Sequence, residues 1–260
     1  MMYFVDVQGT LIEDNTKLPT RGAVAFIDHL NMHQIPYMVI TNSTKNPSDE
    51  FLGYLNSIGL NIPQSHYLDP LMMLESHIDK SRKIAAYGSQ PFLNVLQSMG
   101  YPLDYTSPDV VLVAIKDDFS PDEYAQMIEF LLAGAQLVGM HETTLYVKNH
   151  KRYPGVGAIL KMLEFATSAP YSVVGKPSIP FFEEALYRLS LQKEGAQFRD
   201  VTIISDDVKG DLIGAQSLGM RGIFVLSGKY RVAEEIIPSL KPQERPAEIY
   251  ADMQAILECL

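Results

Sequence analysis

Short hydrophobic runs, each stopping at polar residues and most followed by an amphipathic stretch, set the limits on how this chain folds. Tyr3-Phe4-Val5 precedes a stretch of helical spacing over residues 23–30. Tyr37-Met38-Val39-Ile40 stops at Thr41-Asn42-Ser43, ahead of a second helical stretch over 51–58. The rhythm returns later: Tyr171-Ser172-Val173-Val174 leads into Gly175-Lys176-Pro177 and a helix over 180–189. Val201-Thr202-Ile203-Ile204 then ends at Ser205-Asp206-Asp207 before a helix over 209–218, and Gly222-Ile223-Phe224-Val225 is one more strand. Such alternation predicts an α/β fold, a doubly wound parallel sheet with crossover helices. Ligands of such sheets sit beyond the carboxyl ends of the strands, so the polar strand ends are the candidate site.

The middle of the chain has its own strand–helix series: a strand over 83–87, a helix over 92–99, a strand over 110–114 and a helix after Ser120. Ser120-Pro121-Asp122-Glu123 combines an N-cap serine, a first-turn proline and the glutamate of a capping box. At 260 residues the chain exceeds the usual size of a single core. The expected organisation is a core domain over 1–70 and 171–260 with an inserted α/β domain over 71–170. The Pro- and Glu-containing stretch 238–246 reads as a surface connection.

Charge narrows the partners. Lys+Arg 21 against Asp+Glu 31 gives a formal charge of −10, which argues against a nucleic-acid surface. A small anion is compatible, because a metal and one lysine reverse the sign locally. The single cysteine, Cys259, rules out an intramolecular disulfide and fits a reducing cytoplasm. No stretch approaches membrane-spanning length and no leader pattern opens the chain, so the expectation is a soluble cytoplasmic protein with no membrane partner.

Several strand ends carry groups capable of chemistry. Asp6, before the Gly9-Thr10 turn, reads as a nucleophile or metal ligand, or simply as a turn cap. Residues two apart on a strand share a side, where a second carboxylate would shuttle protons; Gln8 stands there and cannot ionise. Thr41, Asn42 and Ser43 offer hydroxyl and amide donors suited to phosphate oxygens, although such residues are also ordinary turn formers. Lys176, between a glycine and a proline, is placed in a turn with its ammonium available to an anion, although most lysines are solvated. Asp206, Asp207 and Asp211 crowd three carboxylates into six positions with only Lys209 between them. That crowding favours Mg²⁺ held by oxygen ligands; carboxylates at a helix N-terminus are the plainer alternative.

Aspartate, then Thr/Ser, then lysine, then a carboxylate pair, in this chain order, resembles the four motifs of the haloacid dehalogenase superfamily across essentially the whole chain. A large insertion between the second motif and the lysine is similar to the type II cap of its NagD-like branch. So are Thr41-Asn42-Ser43-Thr44-Lys45, Tyr153-Pro154-Gly155-Val156-Gly157-Ala158, Val174-Gly175-Lys176-Pro177 and Leu226-Ser227-Gly228.

The resemblance implies a Rossmann-like core, an inserted cap and a Mg²⁺-dependent phosphatase acting on small phosphorylated metabolites. Asp6 is then the nucleophile that becomes an aspartyl-phosphate, and a metal ligand with the Gln8 carbonyl and Asp206. Thr41 and Asn42, with Ser43, bind phosphate; Lys176 neutralises the nucleophile and phosphoryl group; Asp211, with Asp207 beside it, supports the metal site from behind or orients Lys176. The cap supplies substrate contacts, with His141-Glu142-Thr143 and Tyr153 as candidates, although a histidine in such a turn is more often at the surface. Pairing of caps into a homodimer is a further expectation of the branch.

Two departures stand out. Ser205 occupies the place of a usual glycine and adds a hydroxyl near the site. Gln8 keeps the metal-binding carbonyl and loses the proton shuttle, a loss worth typically about 10²–10⁴-fold. Alkyl phosphates are then poor substrates, while aryl or acyl phosphates suffer less; Glu13 and Asp207 are the nearest carboxylates to substitute. Two alternatives follow: a phosphate-ligand binder without turnover, and phosphotransfer to an acceptor other than water.

Overall fold

A computed structural model of the protein describes residues 1–148 and 151–260. In chain order the first elements are β1 (Met2–Asp6), α1 (Ala23–Met32), β2 (Tyr37–Ile40), α2 (Ser48–Ser57), β3 (Tyr67–Leu68), α3 (Pro70–His77), β4 (Ile84–Tyr87) and α4 (Gln90–Ser98). Then follow β5 (Val110–Val113), α5 (Pro121–Leu132), β6 (Gln136–Gly139), β7 (Leu145–Lys148), β8 (Lys151–Pro154), α6 (Val156–Thr167) and β9 (Tyr171–Val173). The chain ends with α7 (Ile179–Ser190), β10 (Val201–Ser205), α8 (Ile213–Ser217), β11 (Arg221–Val225), β12 (Glu248–Tyr250) and α9 (Met253–Leu257). These elements form two compact units: Met1–Thr41, Asp49–Leu68 and Phe182–Leu260 make the first, and Asn42–Ser48 with Asp69–Phe181 the second.

The first unit is built on a six-stranded sheet, β12-β11-β10-β1-β2-β3, with every pairing parallel. A parallel sheet buried on both faces needs strands that are apolar throughout, and β1, β2 and β10 are buried along their whole length. Tyr3, Val5, Tyr37 and Val39 meet Phe26, Ile27 and Leu30 of α1 and Leu55 of α2 in one core. Phe4, pointing the other way, stacks on Phe182 of α7 with ring centroids 6.4 Å apart. Val5 pairs with Val39 on one side and Ile204 on the other. That register brings Asp6, Thr41 and Ser205-Asp206 out at neighbouring strand ends along one edge of the sheet.

The second unit carries a parallel four-stranded sheet, β4-β5-β6-β9, and an antiparallel hairpin, β7-β8. Alternate residues of β4 and β5 enter different cores. Ile84, Ala86, Val110 and Leu112 pack with Leu74, Phe92 and Leu96, whereas Ala85, Tyr87, Val111 and Val113 pack with Met127, Ile159, Leu160 and Leu163. Helices therefore cover both faces of this sheet too.

The expected boundary at residues 70 and 171 differs from this division. Tyr171–Val173 was expected to join the first sheet, but its partners are Leu137, Val138 and Gly139 of β6, so residues 171–181 belong with the second unit. Residues 42–48 join it as well. Short β3, β6 and β12 lacked the extended apolar runs that made β1, β2 and β10 visible. The stretch around 238–246 is made of short 3₁₀ turns, Ile237–Ser239 and Pro242–Glu244, leading into β12. Among the described residues no helix is long and apolar enough to cross a membrane.

The capping box ahead of α5 forms as the sequence predicts: Ser120 Oγ accepts the Glu123 N–H at 3.2 Å, and Glu123 Oε2 accepts the Ser120 N–H at 2.8 Å. Ser120→Ala is expected to destabilise the second unit by about 1 kcal/mol in a denaturant melt, the usual cost of losing such a cap. An unchanged midpoint would show that the cap contributes nothing there.

Candidate active site

Asp6 closes β1 and is 5% exposed. The chain then turns tightly, with Leu11 N–H bonded to the Val7 carbonyl at 2.9 Å and Gly9 at φ 76°, a conformation that favours glycine. The turn places Thr10 against two acids at once. Its hydroxyl donates to Asp6 Oδ2 at 3.3 Å and accepts the Asp206 N–H at 3.1 Å, tying the end of β1 to the end of β10.

Asp206, 4% exposed, follows β10. Its Oδ2 accepts the Lys229 main-chain N–H at 2.6 Å and packs against two glycines. A Cβ on Gly9 would lie 2.1 Å from this oxygen, and one on Gly228 would lie 2.0 Å from it. Neither position tolerates a side chain without moving the carboxylate. Burial, and after it the charge of Asp6, pushes the Asp206 pKa well above the ordinary aspartate value, with Lys229 opposing.

The neighbouring acids are held by a different set of bonds. Asp207 Oδ1 accepts the Gly210 N–H at 2.9 Å, and its Oδ2 pairs with the Lys229 ammonium. Burial works against that ammonium, but the charges of Asp207 and Asp206 outweigh it and hold the Lys229 pKa above the usual lysine value. Ser205, in place of the expected glycine, uses its hydroxyl twice: it donates to Asp211 Oδ2 at 2.7 Å and accepts the Asp207 N–H at 3.0 Å. Lys209, the cation nearest in sequence, is exposed. Lys229, by contrast, sits among the acids.

Gln8 Oε1 accepts the Thr41 hydroxyl at 2.7 Å, so the residue in the proton-shuttle place is tied to the candidate phosphate-binding hydroxyl. The two carboxylates expected as substitutes are committed elsewhere. Glu13 accepts from Thr16 at the surface, and Asp207 is ion-paired as described.

The second unit holds the remaining candidates. Asn42 grips the Lys176 main chain from both sides: Oδ1 accepts the Lys176 N–H at 2.9 Å, and Nδ2 donates to the Lys176 carbonyl at 3.3 Å. Lys176, followed by a cis peptide bond to Pro177, is 1% exposed, unlike the solvated lysine that its residue type alone suggests. Ser43 is half-buried beside Asn42. His141 corrects the expectation of a surface histidine: it is 5% exposed, and its Nδ1 accepts the Thr143 N–H at 3.4 Å. Glu142 accepts the Tyr171 hydroxyl, while Tyr153 stacks on Tyr146 across the β7-β8 hairpin.

The donors around Asp6 suit a hard divalent cation. Asp6 and Asp206 are buried carboxylates whose mutual repulsion already raises the pKa of Asp206, and carboxylate with carbonyl oxygen is the ligand chemistry of Mg²⁺. Among the described residues no group of three or more His, Cys, Asp or Glu side chains is disposed to hold a metal, so any ion here relies on two carboxylates, main-chain oxygen and water.

Sequence reasoning overlooked Thr10 and Lys229. Thr10 sits in the turn already singled out. Lys229 directly follows Leu226-Ser227-Gly228, the polar end of β11, and the same strand-end logic extended to that strand finds it.

The first unit is thus a doubly wound α/β domain with a cluster of buried acids at the carboxyl edge of its sheet. Residues 3–102 match the model of the haloacid dehalogenase-like hydrolases, and residues 173–256 match a second model, HAD-hydrolase-like. The chain belongs to the haloacid dehalogenase-like hydrolase family. It is 29% identical over 248 residues to phospholysine phosphohistidine inorganic pyrophosphate phosphatase of Danio rerio, spanning 91% of this chain and 86% of that protein. In fold it is similar to p-nitrophenyl phosphatase from Archaeoglobus fulgidus (TM-score 0.81, 20% identity, 100% of this chain and 98% of that one). It is also similar in fold to NagD from E. coli K-12 (TM-score 0.73, 23% identity, 96% of each chain).

Two substitutions test the site's construction. Ser205→Ala removes the bridge between Asp211 and the Asp207 N–H and is expected to cost about 1–3 kcal/mol, the penalty for buried polar groups left unpaired. Gly228→Ala forces a methyl into the Asp206 carboxylate and is expected to destabilise by about 1–3 kcal/mol. Thermal melts at matched buffer and ion concentration check both; unchanged melting would contradict the packing described.

Proposed function

We propose that the protein is a cytoplasmic, divalent-cation-dependent phosphatase of small phosphorylated metabolites, with Mg²⁺ as the cation and Asp6 as nucleophile. The observation that carries this reading is the pair of buried carboxylates, Asp6 and Asp206, joined through Thr10. Asp6, Asp206 and the Gln8 carbonyl are the residues that would hold Mg²⁺. When bound, Mg²⁺ would supply Lewis acidity and offset repulsion between carboxylate and phosphate.

The Thr10 hydroxyl donates to Asp6 Oδ2 and orients the carboxylate assigned as the attacking group. As the Asp6 oxygen–phosphorus bond forms, the bond from phosphorus to the leaving group breaks, and the leaving group carries away the electron pair. Thr41, Asn42 and Ser43 are assigned to the phosphate oxygens, and Lys176 to charge neutralisation. Water then attacks phosphorus, restoring the Asp6 carboxylate and releasing inorganic phosphate. Asp211 and Asp207 support Asp206 without touching substrate, and His141 is assigned to the substrate-selecting part of the second unit.

Gln8 sets the substrate class. It cannot protonate a leaving oxygen, and its amide oxygen is occupied by Thr41. The favoured substrates are those whose leaving groups need no proton from the protein: aryl and acyl phosphates, phosphoanhydrides, and phosphoramidates whose nitrogen is protonated before departure. The Danio rerio relative is named for phospholysine, phosphohistidine and pyrophosphate, which fall in this class. The same feature supports a second reading, transfer to an acceptor other than water, since Gln8 also cannot activate the incoming water.

A panel of alkyl, aryl and acyl phosphates, pyrophosphate and a phosphoramidate, run with Mg²⁺ and with chelator, tests the proposal on the natural protein and on Gln8→Asp. Natural-protein turnover is expected for the activated substrates only and to vanish with chelator. Gln8→Asp is expected to raise alkyl phosphate turnover by about 10²-fold or more. A folded Gln8→Asp protein with no gain on alkyl phosphates would overturn the role given to Gln8. Product analysis with added alcohols distinguishes hydrolysis from transfer.

A further inference from the structure

Lys229 is a buried cation among the acids at the end of β10, and the mechanism above gives it no task. Its surroundings are built to keep it there. The Ser227 hydroxyl donates to the Gly9 carbonyl at 2.7 Å and fastens the loop after β11 to the turn after β1. Gly228, without a side chain, lets that loop lie flat on Asp206 and Gly9. The next residue then reaches two acids by two routes. The Lys229 main-chain N–H bonds Asp206 at 2.6 Å, and its ammonium pairs with Asp207; the two side chains of that pair are 14% and 12% exposed.

We propose that Lys229 is a positioning residue, a resident counter-cation that holds Asp206 and Asp207 in place before a divalent ion binds and thereby keeps affinity for that ion moderate. The inference rests on the reading that Asp6 and Asp206 hold the ion. Asp6, Asp206, Asp207 and Asp211 carry a formal charge of −4 when ionised, and an ion-free cluster of that charge repels itself. Lys229 relieves part of the repulsion permanently. Part of the stabilisation that a divalent ion would otherwise bring is therefore already present, and the ion meets a site with one negative charge fewer. Because the contact to Asp206 comes from the main chain, it survives side-chain replacement. Removing the ammonium thus changes the charge while retaining that anchor.

The experiment is calorimetric titration of Mg²⁺, without phosphate, into the natural protein, Lys229→Met, Lys229→Arg and the double variant Lys229→Met/Asp207→Asn. Each protein is also melted in chelator and in Mg²⁺. Lys229→Met is expected to bind Mg²⁺ roughly tenfold more tightly, as expected for loss of a positive charge a few ångströms from a divalent ion. It is also expected to melt lower in chelator and to gain more from Mg²⁺ than the natural protein, as linkage requires. Lys229→Arg should stay near the natural affinity. The double variant, which restores the net charge, should return towards it; a purely structural lysine would not be rescued by removing its partner.

Equal Mg²⁺ affinity in all four proteins, or weaker binding by Lys229→Met, overturns the proposal and leaves the ion-site reading intact. Absence of any Mg²⁺ response in all four overturns both. If Lys229→Met does not fold in chelator, folding on addition of Mg²⁺ supports the proposal, while failure to fold in either condition leaves the comparison of the double variant with Asp207→Asn alone. Tighter binding by Asp207→Asn than by the double variant would then overturn it, because the retained ammonium should weaken binding.

Discussion

Repulsion between two buried carboxylates on adjacent parallel strands is the constraint that most of the first unit answers. Asp6 and Asp206 come together because the β1-β10 register leaves no other place for the residues that follow Val5 and Ile204. Thr10 bonds both, Gly9 and Gly228 make room for Asp206, and Lys229 brings a fixed positive charge from a third strand end. Ser205 performs the same service one layer back by joining Asp211 to the Asp207 main chain. An arrangement that fixes each acid this closely holds the oxygens where a cation would meet them.

Gln8 gives that arrangement its chemical character. A carboxylate in its place would add another negative charge beside Asp6 and a proton to lend. The amide adds no charge and is instead bound by Thr41. On the proposed reading, the site suits a phosphoryl group whose leaving group departs unaided, and the lack of a proton donor at residue 8 bears on substrate choice while leaving Asp6 in place.

Much of this was legible in the sequence, for physical reasons that also explain what was not. β1, β2 and β10 were visible because parallel strands buried on both faces must be apolar throughout. Asp6, Thr41 and Asp206 were visible because strand ends of such sheets face the ligand. β9 was assigned to the wrong sheet, since an apolar run does not say which neighbour it pairs with, and β3 and β12 are too short to carry a pattern. His141 and Lys176 were read as residues usually met at the surface, whereas the fold buries both, Lys176 with its main chain bonded to Asn42, 134 residues away in sequence. The pairing of Lys229 with Asp207 spans 22 residues of sequence and depends on how the loop after β11 folds back. Lys209, adjacent in sequence, was the wrong cation for that reason.

The most direct test of the account is where phosphate becomes attached during turnover. Rapid acid quenching of the protein with a ³²P-labelled acyl phosphate, followed by peptide mapping, is predicted to yield an acid-stable, hydroxylamine-sensitive label on the peptide containing Asp6, lost in Asp6→Asn. Turnover with no label on that peptide, or label that persists in Asp6→Asn, would contradict the account.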